Sequence, residues 1–168
     1  MRSQELNSGA TQSFSVDHVI APGSTQQEVF ERGGVPGLVQ SVLQGYNATV
    51  FAYGQTGSGK TFTMEGYDYR RSASGHAIQA DFDASPDRLG LTPRAVTALF
   101  KDVHAHNEAL SGAEGASAGA SPLRVVCHFC QIYKEAVLDL LNPAPPSQNG
   151  AVSGLKIRWS ADRQFYVR

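Results

Sequence analysis

Apolar and polar positions divide this chain into short blocks separated by glycine, proline and small polar residues. Phe14-Ser15-Val16-Asp17-His18-Val19 alternates apolar with polar and predicts a half-buried strand, ended by Pro22-Gly23. Thr25 and Glu28 have the spacing of a capping box and predict a helix start. Val29, Val39, Val42 and Leu43 supply its apolar stripe. Gly33, Gly34 and Pro36 predict a break or bend, and Gly45 a stop. Thr49-Val50-Phe51-Ala52-Tyr53 is an apolar run of β-formers and predicts a buried strand of the kind found in parallel sheets. A glycine-rich loop follows, and Lys60-Thr61-Phe62-Thr63-Met64 opens the next helix.

Residues 66–90 are polar and long for a connection, which suggests a functional loop or a mobile insertion. Thr92-Pro93 predicts a helix start, with Val96, Leu99, Phe100 and Val103 at core-facing spacing. Residues 111–122 and 143–153 are small-residue linkers. Between them Leu123–Tyr133 reads as a strand and Ala136–Leu141 as a short helix or turn. Leu155–Trp159 and Phe165–Val167 form a hairpin pattern. The order strand, helix, strand, helix, strand predicts an α/β fold.

Composition adds limits. A chain of 168 residues fits one domain, and 41% hydrophobic residues allow a core. Lys and Arg number 14 against 15 Asp and Glu, so whole-chain charge argues for neither nucleic acid nor a membrane surface as partner. Two cysteines are too few for a secreted disulfide scaffold. Residues 1–13 are polar, are expected to be disordered, and contain no apolar core of a secretory signal. No run of 18 apolar residues predicts a membrane span. Asn47-Ala48-Thr49 matches a glycosylation pattern, taken as chance in a chain expected to be intracellular.

The candidate chemistry lies in Gly54-Gln55-Thr56-Gly57-Ser58-Gly59-Lys60-Thr61, which satisfies G-x-x-x-x-G-K-[ST] between a predicted strand and a predicted helix. Gly57 and Gly59 let the backbone turn with positive φ and keep side chains out of the way. Successive N–H groups then converge on phosphate oxygens, with the helix start adding its positive end. Lys60 is placed for the β- and γ-phosphates, and the Thr61 hydroxyl for Mg²⁺.

Other constellations are weaker. Cys127-His128-Phe129-Cys130 is a C-x-x-C, but residues three apart on a strand face opposite ways, and no second pair completes a metal site. Ala136-Val137-Leu138-Asp139 has the look of an apolar run ending in a metal-linked Asp; a structural Asp139 is the simpler reading. His104, His106 and Asn107 read as a solvated helix end, and Arg70-Arg71 as a solvated loop tip. Arg158, Arg163 and Arg168 read as a solvated hairpin face, with a residual partner contact as the alternative.

The flanks of the phosphate loop carry a resemblance. "GYNATVFAYGQTGSGKTFTMEG" resembles the phosphate-loop signature of the kinesin motor domain. Phe14-x-Val16-Asp17-x-Val19 with Ser24-Thr25-Gln26-x-Glu28-Val29-Phe30 resembles an upstream strand and helix of that family. Gly90–Ala95 resembles the segment where a helix resumes after the long loop. Gln131-Ile132-Tyr133-Lys134-Glu135 with Asp139-Leu140-Leu141 is similar to the family's "EIYNE…DLL" stretch, and Leu155–Arg168 to the following β-lobe.

The resemblance implies a partial P-loop NTPase fold over 14–168: a central, mostly parallel sheet with helices on both faces, incomplete at both ends. It implies that Gly54, Gln55, Thr56, Gly57, Ser58, Gly59, Lys60 and Thr61 hold ATP and Mg²⁺. Phe62 takes a place beside the adenine, with a core aromatic as the alternative. The implied parent activity is microtubule-stimulated ATP hydrolysis driving movement, with tubulin as partner on the cytoplasmic cytoskeleton. The family's Arg-x-Arg-Pro motif finds no match in residues 1–13. Its switch I (Asn-x-x-Ser-Ser-Arg-Ser-His) and switch II (Asp-x-x-Gly) patterns, expected later in the chain, are read as absent up to Arg168. No catalytic residue is therefore assigned, and these 168 residues are expected to bind Mg·ATP weakly at best without motor activity. A non-catalytic nucleotide-binding or structural remnant is one alternative; another P-loop NTPase or kinase is the second.

Overall fold

The computed structural model describes residues 2–5, 11–67, 69–71, 78–80, 85–112, 121–141, 154–162 and 164–167. They fall into two compact units, Met1–Leu123 and Arg124–Arg168.

The helices of the first unit start and stop where local chemistry says they should. Helix α1, Gln26–Arg32, carries the full capping box: the Glu28 N–H donates to Thr25 Oγ1 (3.1 Å), and the Thr25 N–H donates to Glu28 Oε2 (2.7 Å). The Thr25 N–H and the Thr25 hydroxyl, which donates to the same carboxylate oxygen at 3.1 Å, hold the Glu28 pKa below its ordinary value, the backbone bond contributing most. Gly33 and Gly34 end α1, and α2, Val35–Leu43, begins at once with Pro36 in its first turn. Helix α3 covers Lys60–Met64, and α4 covers Leu91–Gly112.

Phe30 of α1, Val35 of α2 and Leu91 of α4 are buried together, with Val29, Met64 and Ala95 against them. Removing each large side chain from water contributes roughly 1.5–3 kcal/mol. Met64 is the decisive member, because it fastens the short α3 to this cluster. Farther along, Gln40 Nε2 of α2 donates to Asp102 Oδ2 of α4 at 2.6 Å. The expected α4 stripe is only partly realised: Val103 is buried, whereas Val96 and Phe100 are exposed.

Strands behave differently. The ladders among the described residues are four antiparallel hairpins: β1 (Arg2–Glu5) with β2 (Thr11–Phe14), β3 (Tyr69–Arg71) with β4 (Ile78–Ala80), β5 (Cys130–Tyr133) with β6 (Ala136–Asp139), and β7 (Ile157–Ser160) with β8 (Gln164–Val167). The β7–β8 hairpin matches expectation. Of residues 1–13, expected to be disordered, Arg2–Glu5 and Thr11–Ser13 pair in the first hairpin. Ala136–Asp139 is a strand, not a helix, because it folds straight back on Cys130–Tyr133.

The parallel part of the expected sheet is not formed among the described residues. Thr49–Tyr53 makes no ladder, with Phe51 and Tyr53 81% and 90% exposed. Residues 15–19 and 124–129 are likewise outside any ladder. A parallel strand pairs only with a segment distant in sequence, so a strong local pattern is not enough to place it. Of the two linkers, 113–120 and 143–153 lie outside the described residues, as do Arg163 and Arg168; α4 itself runs through Gly112.

Candidate functional site

The glycine-rich loop leaves the exposed chain at Tyr53 and ends on α3. Gly57 and Gly59 have φ of 81° and 89°, the left-handed region expected for them. A Cβ on either would point into open space, so what excludes other residues is backbone conformation rather than crowding. Ser58 N–H closes the turn on the Gln55 carbonyl at 3.2 Å. Gly54 lies under Ser58, whose hydroxyl a Cβ at Gly54 would meet at 2.4 Å. Among the described residues no backbone carbonyl accepts from the N–H of Lys60 or Thr61, as the first turn of a helix requires. With five residues, α3 adds little macrodipole; its free N–H groups are what it offers an anion.

Lys60 is half-buried, and its ammonium donates to the Gly54 and Gln55 carbonyls at 2.8 and 2.7 Å. Thr61 is exposed beside it. Among the described residues no group of three His, Cys, Asp or Glu converges as a metal cage. Mg²⁺ ordinarily keeps waters and takes one or two protein oxygens plus phosphate. A single exposed hydroxyl beside free backbone N–H groups fits that habit.

Phe62 is 52% exposed, so it is not a core aromatic. Phe62 lines a cavity of about 360 Å³ with Ser24, Thr25, Gln26, Gln27, Asp87 and Arg88. The far wall comes from the end of the long loop, where Pro86–Arg88 forms a 3₁₀ turn before α4.

The roles of several site-building residues escaped the sequence reading. Arg94 holds that turn in place: its guanidinium donates to the carbonyls of Leu89 (2.7 Å), Pro86 (3.0 Å) and Asp87 (3.2 Å), and to Gln27 Oε1. Gly66 and Gly90 let the two ends of the long loop touch. The Gly90 N–H donates to the Glu65 carbonyl at 3.0 Å, and a Cβ on Gly90 would meet Met64, Thr63 and Glu65 backbone at 2.6–2.7 Å. The family motif contained both glycines, but only the crossing explains them.

The remaining candidates resolve simply. Cys127 and Cys130 are both exposed thiols. Asp139 Oδ1 accepts the Leu141 N–H at 2.9 Å, a turn-forming role. Asn107 is not a solvated end: its amide makes both bonds of a backbone-like clamp with Leu123, at 3.0 and 2.8 Å. The letters Asp-x-x-Gly do occur, at Asp87-Arg88-Leu89-Gly90. They belong to the turn into α4, upstream of where a switch II would stand.

The left-handed glycines and the start of α3 give this loop the backbone geometry of a P-loop. A family model described as Kinesin motor domain matches residues 1–168. Kinesin-related protein 5 of Dictyostelium discoideum is 37% identical over 156 residues, 93% of this chain and 13% of that protein. Kinesin-like protein KIFC1 of Mus musculus is 42% identical over 137 residues, 82% of this chain and 16% of that protein. The chain is also similar in structure to the Drosophila kinesin family member Kin10/NOD, solved in complex with divalent manganese and ADP. The TM-score is 0.57 at 27% identity, over 85% of this chain and 44% of that one. The chain belongs to the kinesin motor domain family. It spans less than a fifth of the length of these two relatives.

Proposed function

We propose that Gly54–Thr61 binds the phosphates of Mg·ATP and that the chain is the ATP-binding part of a kinesin-type microtubule motor of the cytoplasmic cytoskeleton. The observation that carries this is the left-handed Gly57–Gly59 turn delivering Lys60 and Thr61 onto the first turn of α3. The manganese and ADP in Kin10/NOD support the same ligand class. A bound Mg²⁺ would neutralise charge on the β- and γ-phosphates, and Thr61 is the residue to hold it. Lys60 would exchange two neutral carbonyl acceptors for anionic oxygens, a stronger kind of hydrogen bond. Phe62 would carry the base over the cavity beside it.

The parent activity we assign is microtubule-stimulated ATP hydrolysis. Residues 1–168 by themselves supply no switch I, and their one Asp-x-x-Gly precedes α4. Positioning the attacking water and neutralising the transferred group are the work of phosphoryl-transfer catalysis. These 168 residues alone are therefore expected to bind without microtubule-stimulated turnover. Calorimetric titration with Mg·ATP tests the binding: Lys60→Ala should weaken it about 10- to 100-fold, the size of a lost charge-assisted bond. Equal affinity in both would sink the phosphate-loop assignment. Steady-state ATPase with and without microtubules tests the rest, and clear stimulation would refute the incompetence of the isolated segment.

A further inference from the structure

We propose that Gln26 is a positioning residue for the phosphate loop, setting the rotation of α3 and thereby the aim of Lys60 and Thr61. This inference rests on the nucleotide reading above. Gln26 is 6% exposed, the one buried polar side chain among the described residues. A buried amide is costly unless it is bonded. Its Nε2 donates to the Phe62 carbonyl at 2.7 Å, 36 positions along the chain.

That carbonyl needs an outside donor. In a continuing helix the Gly66 N–H would serve it, but Gly66 turns away to Thr61 O at 3.4 Å, the carbonyl that Glu65 N–H already occupies at 2.8 Å. Gln26 replaces the missing partner. A five-residue helix is unstable on its own and takes its orientation from what touches it. Met64 packs on Phe30, Val35 and Leu91, but apolar packing is non-directional and sets distance rather than angle. The Gln26 bond is directional. Gln26 is itself fixed, as the first residue of α1 after the Thr25–Glu28 box and one turn before buried Phe30.

The test compares Gln26→Met, which keeps length and loses the donor, and Gln26→Glu, which keeps shape and reverses it. Both are made in the full chain, with Lys60→Ala alongside. Mg·ADP affinity should fall about tenfold in each Gln26 variant. Amide exchange at Thr63 and Glu65, whose N–H groups bond Gly59 and Thr61 at 2.8 Å, should speed up while α4 amides stay unchanged. A merely structural loss would speed α4 as well and overturns the proposal. So does unaltered exchange in α3, or unaltered affinity. In the unsubstituted chain the Gln26 side-chain amide should be protected from exchange and shift on adding Mg·ADP; a freely exchanging amide overturns the proposal without any variant. If Lys60→Ala binds like the unsubstituted chain, the nucleotide reading has failed. If Lys60→Ala loses binding and the Gln26 variants keep it, only this inference has.

Discussion

The node around the phosphate loop and the extended segment just before it are equally distinct as sequence, yet they end in opposite conditions. Gln26, Phe30, Met64, Gly66, Gly90 and Arg94 tie α1, α3 and α4 together by packing and hydrogen bonds. Thr49–Tyr53, with the stronger β pattern, stays outside any ladder with its aromatic rings in solvent. A helix satisfies its backbone within itself and then needs only one apolar face covered. A strand has no internal bonds, and its pattern is an offer that some distant segment must accept. The hairpins obey the same rule, since each finds its partner a few residues away.

The comparison is broken most severely by removing what holds the node. Phe30→Ala should cost about 3–4 kcal/mol and release α3 with it. Thermal unfolding followed by circular dichroism measures the loss, and a change below about 1 kcal/mol would show that the cluster does not hold the node. Gly90→Ala forces a methyl into the backbone of α3 and should cost about 2–3 kcal/mol, with faster exchange of the Glu65 amide.

On the strand side the change runs the other way. Lys134 and Glu135, the turn between β5 and β6, have φ of 47° and 64°, unfavourable for both residues. The family stretch "EIYNE" has Asn where Lys134 stands. Replacing the pair by Asn-Gly should stabilise the hairpin by about 1–2 kcal/mol, read from the exchange of its ladder amides. No gain would mean that the Lys134 ammonium, 5.4 Å from the Tyr133 ring, compensates the strain.

The smallest effect is at the start of α1. Thr25→Ala should cost about 1 kcal/mol by removing the cap. The Glu28 pKa is lowered in the fold, so its contribution is present above the unfolded carboxylate pKa and is lost as pH falls through the folded one. Glu28→Gln should flatten stability against pH in that acid window and lower stability slightly near neutrality, where the carboxylate contributes, as urea midpoints across pH would show.

The local parts of this protein were legible because their causes are local. The Thr25–Glu28 cap, the break at Gly33-Gly34-Pro36 and the left-handed glycines of the loop each depend on a few neighbouring residues. The same holds for Lys60 and Thr61, whose places on α3 follow from the motif. What no pattern could show was which separate pieces meet. Gln26 reads as an ordinary helix-start glutamine until Phe62 offers it a carbonyl. Arg94 gains its role only when the turn at 86–89 folds under it, and Asn107 reads as a solvated end until Leu123 returns to it. Phe62 kept two readings in the sequence, core or site; only the fold shows it half-exposed beside the cavity. Sequence determined where the backbone could close its own hydrogen bonds and where the phosphate-loop motif lies. Tertiary structure decided the rest, because a buried amide, a crossing glycine or a strand edge acquires its partner only when distant parts of the chain come together.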